Sequence, residues 1–335
     1  MAVMTDARPA RVRLAVLPTP LAAAPRLALA LRAGRLYLKR DDLTGFAFGG
    51  NKARPLEFLI AAATADRADT LVTGGSPGSN FCAAAAAAAL RAGMRCELVL
   101  AGQAPRHPGP ALALALAWGA TVRWTGSAER ETVDRELPRA AAAIASAGHR
   151  PYLVPRGGAT GLGAVGYALA AFELHEQLAA IGVTTARVVV AVGSGATLAG
   201  LVAGNAALGR PWTLVGGSVS RPAEDVSLRV LELARECAHL LAGAVAGASG
   251  PGGTAAPVPG DVIVVDARGP GHGLPSPEGV AAAEQAMRTE GLMVDPVYTA
   301  KALSLVPRYA GGGDVVFWHT GGLLDTVAGL AEGHR

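Results

Sequence analysis

Cysteine is scarce in this chain: three in 335 residues, at Cys82, Cys96 and Cys237. An odd, widely spaced set argues against a disulfide framework and for a reducing compartment. Cys82 and Cys96 stand too far apart for a short metal knuckle, so the three read as buried small hydrophobes and no metal is expected. Aromatic residues make up 4% of the chain and charged residues 17%. Arginine dominates the basic residues but is scattered, with no basic stripe and few rings to stack on bases, so nucleic acid is not an expected partner. Apolar runs are short. Ala83–Ala89 ends near Arg91, and no stretch reaches the length that spans a bilayer, so no membrane association is expected. The arginine-rich N-terminus carries Pro9, Pro18 and Pro20, which break an amphipathic transit helix, and a cytoplasmic location is the expectation.

Small apolar residues are abundant. The hydrophobic fraction is 51%, mostly alanine, valine and leucine, and there are 44 glycines. This suits closely packed helices on a buried parallel sheet, and the length suggests two domains. Along the chain, strand-like runs alternate with helical ones: Arg35–Lys39, Lys52–Ala63, Thr70–Thr73, Asn80–Ala92, Cys96–Leu100, Leu112–Trp118, Ala120–Trp124, Arg130–Ala147 and Pro151–Val154. A glycine-rich stretch from Gly157 to Gly166 then opens a helix over Tyr167–Ala180. Val188–Val192 reads as a strand buried on both faces, followed by Leu198–Leu208, Thr213–Val215, Ser227–Leu241, Val262–Val265, Pro277–Glu290 and Asp314–Trp318. Residues Gly243–Gly260 read as a surface loop. The alternation predicts an α/β fold with mainly parallel sheets flanked by helices.

Four features carry chemistry. The valine strand runs into Gly193-Ser194-Gly195-Ala196-Thr197 ahead of a helix, where backbone N–H groups and the helix dipole favour an anion. A dinucleotide site would place a third glycine where Leu198 stands and an acid near Ser218, so a phosphate monoester fits better, with a plain tight turn as the alternative. Lys52 follows Gly49-Gly50-Asn51 at the start of a helix, where the positive helix end favours the neutral amine; a surface lysine has the same local pattern. Ser76-Pro77-Gly78-Ser79-Asn80 precedes the alanine helix, and Ser79 or Asn80 can cap it or help grip a carboxylate. Asp295-Pro296-Val297-Tyr298-Thr299-Ala300-Lys301 and His319-Thr320-Gly321-Gly322 read equally as helix punctuation. The formal net charge of +4 suits an anionic cofactor or substrate.

Taken in order, Leu17–Leu21, Leu38–Gly45, Phe48–Arg54, Gly157-Gly158, Gly166-Tyr167, Gly193–Gly200, Ser218–Arg221, Gly271–Pro275, Asp295–Lys301 and His319–Gly322 resemble the aminocyclopropane-carboxylate deaminase and D-cysteine desulfhydrase family. The resemblance implies the tryptophan-synthase-β-like fold, pyridoxal 5'-phosphate (PLP) as cofactor, and a homodimer. It implies a large domain from residues 1–54 and 164–335 and a small domain from 55–163. Lys52 matches the Schiff-base lysine, and Asn80 the asparagine on the cofactor's phenolic oxygen. Asn51 and Gly193, Ser194, Gly195, Ala196 and Thr197 are expected to bind cofactor, the last five as the phosphate loop. Ser79 matches a substrate-side serine and Tyr298 a catalytic tyrosine. Thr299 stands where the pyridine nitrogen is met, with Thr320 a second hydroxyl for that contact. A threonine rather than a glutamate there favours α,β-elimination from a small amino acid over cyclopropane opening, because a hydroxyl leaves the ring a weaker electron sink. The chain departs from the family at Gly78 and Phe81, at Pro55, and at His272, which replaces a second tyrosine and is a candidate acid or base. Gly78 and Phe81 predict a less polar substrate pocket. These departures keep open the deaminase, a specialised biosynthetic enzyme and a cofactor-binding protein without lyase activity.

Overall fold

The computed structural model describes residues 9–245, 255–271, 273–311 and 313–333. Among the described residues, ten strands form two sheets. In chain order they are β1 (Leu21–Ala23), β2 (Arg35–Arg40), β3 (Thr70–Gly75), β4 (Arg95–Leu100), β5 (Thr121–Trp124), β6 (Pro151–Leu153), β7 (Ala186–Val192), β8 (Trp212–Ser218), β9 (Ile263–Asp266) and β10 (Asp314–His319). The larger sheet has the order β1-β2-β10-β7-β8-β9 and the smaller β5-β4-β3-β6. Every pairing is parallel except β1 with β2.

The helices are α1 (Pro25–Ala30), α2 (Ala53–Ala65), α3 (Asn80–Arg91), α4 (Pro110–Ala117), α5 (Arg130–Ser146), α6 (Gly161–Ala180), α7 (Ala196–Ala207), α8 (Ala223–Val245), α9 (Pro277–Glu290), α10 (Thr299–Leu303), α11 (Val306–Tyr309) and α12 (Leu323–Gly333). The valine strand explains their placement. Side chains alternate along a strand, so Val188, Val190 and Val192 pack with α6, α7 and α8. Val189 and Ala191 face the opposite layer with α1, α9 and α10. The smaller sheet is covered likewise: Leu71, Cys96, Leu98 and Leu100 join α2, α3 and α4 on one face, and Val72 and Val99 meet α5 on the other. All three cysteines are buried and free.

The glycine-rich stretch differs from expectation. Helix α6 begins at Gly161, capped by Thr160, whose hydroxyl accepts the Gly163 N–H at 3.0 Å. The glycines lie inside the helix because neighbouring backbone passes close: a Cβ on Gly166 would sit 2.6 Å from the Arg54 carbonyl oxygen. Facing it, α7 approaches α6 at Gly200, where a Cβ would lie 2.2 Å from the Ala164 carbonyl. The loop expected from Gly243 starts later, since α8 runs to Val245; residues 246–254 of that loop lie outside the described residues.

Both sheets reverse their strand order at one point. The smaller sheet proceeds from β3 outward to β5 and then places β6 on the other side of β3; the larger proceeds from β7 to β9 and then places β10 on the other side of β7. Crevices open at the carboxyl ends of strands at such switch points. Here the two switch points line a single cleft: Gly74–Ser76 and Pro155–Gly157 from one sheet, Gly193-Ser194 and Thr320–Gly322 from the other.

Candidate active site

The cleft has a volume of about 320 Å³. Lys52 lies in it as the residue preceding α2. The chain reaches it from β2 through a turn that only glycine permits. Gly49 and Gly50 have φ of 78° and 95°, and a Cβ on Gly49 would fall 2.2 Å from the Asp42 carbonyl oxygen. The Gly50 N–H donates to the Asp41 carbonyl at 3.0 Å and the Asn51 N–H to the Thr320 carbonyl at 2.9 Å. This second bond stitches the lysine loop to the end of β10. Burial pushes the Lys52 ammonium down to about 8. Its surroundings withhold water from the charged form, so desolvation, rather than the helix end invoked from sequence, is the cause.

Next to Lys52, the Asn51 side-chain N–H donates to Thr197 Oγ1 at 3.0 Å. This fixes the Gly193–Thr197 loop, where Gly195 (φ 104°) precedes α7. A small recess of about 20 Å³ is lined by Asn51, Lys52, Gly193, Ser194, Gly195 and Thr197. The first N–H groups of a helix lack intrahelical acceptors, so Ala196 and Thr197 turn a partial positive charge toward the recess. A recess with a low-pKa amine, a hydroxyl and a helix N-terminus has the chemistry to hold an aldehyde that carries a phosphate.

Opposite, Ser79 caps α3: its Oγ accepts the Cys82 N–H at 3.2 Å. Asn80 follows as the first helical residue and also lines the cleft. Phe81 is 2% exposed, packed where a Cβ on Gly158 would come within 2.7 Å of its ring. Its ring packs beside Leu59 and also lines the cleft. Arg130, Asp134, Arg156, Arg221 and Arg229 stand in the cleft wall together with Phe81.

Tyr298 has its ring 3.5 Å from the position of a Cβ on Gly193. It is delivered by Asp295, whose buried carboxylate accepts the N–H groups of Val297 (3.1 Å), Tyr298 (2.6 Å) and Thr299 (2.9 Å) and so starts α10. Burial pushes the Asp295 carboxyl up against these bonds. The Thr299 hydroxyl donates to Asp295 and lies 3.0 Å from the Gly321 carbonyl and 3.4 Å from Thr320 Oγ1. His319 is held neutral by burial, its Nε2 donating to the Met293 carbonyl at 2.8 Å while Nδ1 accepts the Gly321 N–H at 3.2 Å. The structure thus gathers Asn51, Lys52, Ser79, Asn80, Gly193, Ser194, Tyr298, Thr299 and Thr320 into one cleft, with Gly195 and Thr197 in the adjoining recess. Ala196 is buried as the first residue of α7. His272 lies outside the described residues.

Sequence reasoning missed what holds the lysine loop from behind. Arg54, 1% exposed, donates to Asp41 from Nε (2.9 Å) and Nη2 (2.8 Å) and to Glu173 from Nη1 (3.0 Å) and Nη2 (2.9 Å). Asp41 also accepts from Thr19 Oγ1 (2.8 Å), the Tyr167 hydroxyl (2.5 Å) and Trp318 Nε1 (2.9 Å). Lys39 adds a second buried cation, paired with Glu173 and donating to the Thr19 carbonyl and to Gln177 at 2.7 Å each. Two cations meet two anions, and β2, α2, α6 and β10 converge on them.

A family model described as "Pyridoxal-phosphate dependent enzyme" matches residues 12–321. The chain belongs to this family. Its cofactor is PLP, in keeping with the amine, recess and hydroxyls just described. The D-cysteine desulfhydrase of Yersinia enterocolitica serotype O:8 is 37% identical over 300 residues, 86% of each chain. That of Salmonella choleraesuis is 37% identical over 326 residues, 93% of this chain and 94% of the relative. A solved homologue of ACC deaminase superposes with a TM-score of 0.82 at 31% identity, covering 94% of this chain and 93% of its own. A fungal L-serine ammonia-lyase from Rhizomucor miehei, at 18% identity and a TM-score of 0.64, shares the fold. The resemblance read from the sequence is therefore confirmed. No helix among the described residues is long and apolar enough to cross a membrane.

Proposed function

We propose that this chain is a PLP-dependent lyase that removes a β substituent from a small amino acid, as a D-cysteine desulfhydrase does, releasing an α-keto acid, ammonia and the leaving group. The observation that carries this reading is the Lys52 amine, lowered to about 8 by burial, at the meeting of two switch points and facing Ser79, Asn80 and Tyr298. Bound PLP supplies an electron sink for the pair left behind when a proton departs from the substrate's Cα. Lys52 would hold the cofactor covalently and, once displaced by substrate, serve as base at Cα, since its neutral form is accessible near neutral pH. The Gly193–Thr197 loop and Asn51 would take the phosphate. Asn80 would meet the ring oxygen, and Thr299 with Thr320 the ring nitrogen. Ser79 and the α3 N-terminus would receive the substrate carboxylate. Tyr298, against the phosphate loop, would pass a proton at the base or leaving group, with His272 a second candidate. We further propose the division into a large domain (1–54 and 164–335) and a small one (55–163); each sheet lies wholly within one of them. A homodimer in the cytoplasm completes the reading.

The test is turnover by PLP-loaded protein over D- and L-cysteine and β-substituted serines. Pyruvate should form, with sulfide from cysteine, and Lys52→Ala should abolish both. Release of neither product from any of them rejects the lyase. Aminocyclopropane carboxylate should give no ketobutyrate, because Thr299 replaces the carboxylate that would keep the ring strongly electron-withdrawing.

A further inference from the structure

The proposed reading disposes of two anions: the cofactor phosphate at Gly193–Thr197 and the substrate carboxylate at the α3 N-terminus. The cleft still holds more positive charge than these use. Two of its four arginines are satisfied within the protein. Arg156 is clamped by Asp134 through two bonds of 2.6 Å. Arg229 donates to the Ala159 carbonyl and to Glu232, each at 3.1 Å.

The other two form no ion pair or hydrogen bond with an acid among the described residues. Among the described residues, the Arg221 side chain reaches only the Ser194 carbonyl, at 3.5 Å. Arg130, the first residue of α5, makes no hydrogen bond or ion pair with any described residue, although it is half-buried in the cleft wall. They belong to opposite sides, Arg130 to the helix following β5 and Arg221 to the segment following β8. Burial lowers the Arg130 pKa, and the nearby charges of Arg156 and Arg221 lower it further, while Tyr298 and the neighbouring Glu131 act in the opposite sense without outweighing them. Arg130 therefore sits within electrostatic range of both the second free guanidinium and the proposed catalytic tyrosine. A half-buried, unpaired guanidinium facing like charge is unfavourable in the free protein. An anion between the two arginines relieves both costs, and the fork of a guanidinium suits a planar or tripodal oxyanion.

From this geometry we infer that the substrate is an amino acid whose departing β substituent carries a second anion, a tripodal oxyanion such as a sulfonate or phosphate that leaves with the bonding pair, held by Arg130 and Arg221 on the Tyr298 side of the cleft. The inference rests on the lyase reading, because that reading places the other two anions. The shared cleft of about 320 Å³ restricts the side chain to a short one.

Aspartate and asparagine, nearly equal in shape, separate charge from size; cysteine sulfonate provides the tripodal oxyanion. Each amino acid, in both enantiomers where available, is titrated into PLP-loaded protein and binding is read from the cofactor absorbance. Aspartate and the sulfonate, each in at least one enantiomer, should bind about 10- to 100-fold more tightly than asparagine, the range expected of a charged hydrogen bond. Arg130→Gln should collapse that ratio to about threefold or less, and Arg221→Gln, a second variant away from α5, should reduce it as well. Equal binding of aspartate, sulfonate and asparagine by cofactor-loaded wild type overturns the inference and leaves the lyase reading intact. Equal weakening of all three by Arg130→Gln also overturns it, since the arginine would then hold the common α-carboxylate. A wild-type protein that takes up no PLP overturns both.

Discussion

Replacing Asp41 by asparagine should be among the costliest single changes outside the cleft. The carboxylate is fully buried and receives five donor groups: Arg54 Nε and Nη2, Thr19 Oγ1, the Tyr167 hydroxyl and Trp318 Nε1. Burial by itself would raise its pKa; the Arg54 guanidinium and these donors outweigh burial and hold the value at about 2, against an ordinary 3.8. A carboxyl depressed in the folded state stabilises the fold above its unfolded pKa, and that contribution disappears as pH falls toward the folded value. Between about pH 4 and pH 2 the protein should therefore lose about 2 kcal/mol from this group alone. Asparagine does more than protonation, because it turns an amide N–H toward donors and leaves Arg54 with Glu173 as its remaining anion. Breaking one side of a buried ion pair costs about 3–5 kcal/mol. Tyr167→Phe, which removes one donor to a charged acceptor, should cost about 1.5–3 kcal/mol. Urea unfolding followed by tryptophan fluorescence is a suitable assay, since Trp318 belongs to the cluster. An Asp41→Asn protein within about 1 kcal/mol of wild type at neutral pH would refute the reasoning, as would an Asn variant that kept the full acid sensitivity.

The Lys52 pKa predicts the pH dependence of cofactor uptake: its neutral fraction rises with pH, so the rate of PLP capture by apoprotein should climb about tenfold per pH unit below pH 8 and level off above it, as stopped-flow absorbance would record. Tyr298→Phe should retain the cofactor spectrum but lower kcat/KM for elimination by about 10²–10⁴, the range for loss of a proton-transfer group; unchanged turnover would remove it from the mechanism. Gly200→Ala places a Cβ 2.2 Å from the Ala164 carbonyl and should destabilise by about 1–3 kcal/mol or more, seen as a lowered urea midpoint.

The parallel sheets were legible in the sequence because their strands are buried on both faces and bounded by glycine turns. Val188–Val192 needs no partner to be recognised. Two short elements were not: β1 has three residues and owes its pairing to β2, while α10 exists because the Asp295 carboxylate collects three N–H groups from the turn before it. The cofactor residues could be found because each lies in a local glycine or capping pattern. Arg130 carried no such mark, and Arg221 stood in the Ser218–Arg221 run with no role attached to it. The meaning of each depends on its guanidinium forming no ion pair among the described residues, which is a property of the folded cleft. Arg54 had the opposite problem. It stood inside a conspicuous run beside Lys52, yet its partners Glu173, Asp41 and Thr19 are 119, 13 and 35 residues away in the chain.

The position of β10 has a consequence for biosynthesis. A polypeptide leaving the ribosome has every strand of the smaller sheet available once residue 153 has emerged, and that sheet can assemble while translation continues. The larger sheet has a gap between β2 and β7 that only residues 314–319 fill. Until they arrive, two strands bound for the centre of the molecule present unpaired backbone edges, the surfaces on which nascent chains associate wrongly. The same late strand brings Trp318 to Asp41 and the Thr320 carbonyl to Asn51. A nascent chain stalled before residue 314 should thus have a folded smaller layer and an unanchored Lys52 loop, and it should bind cofactor poorly until β10 emerges.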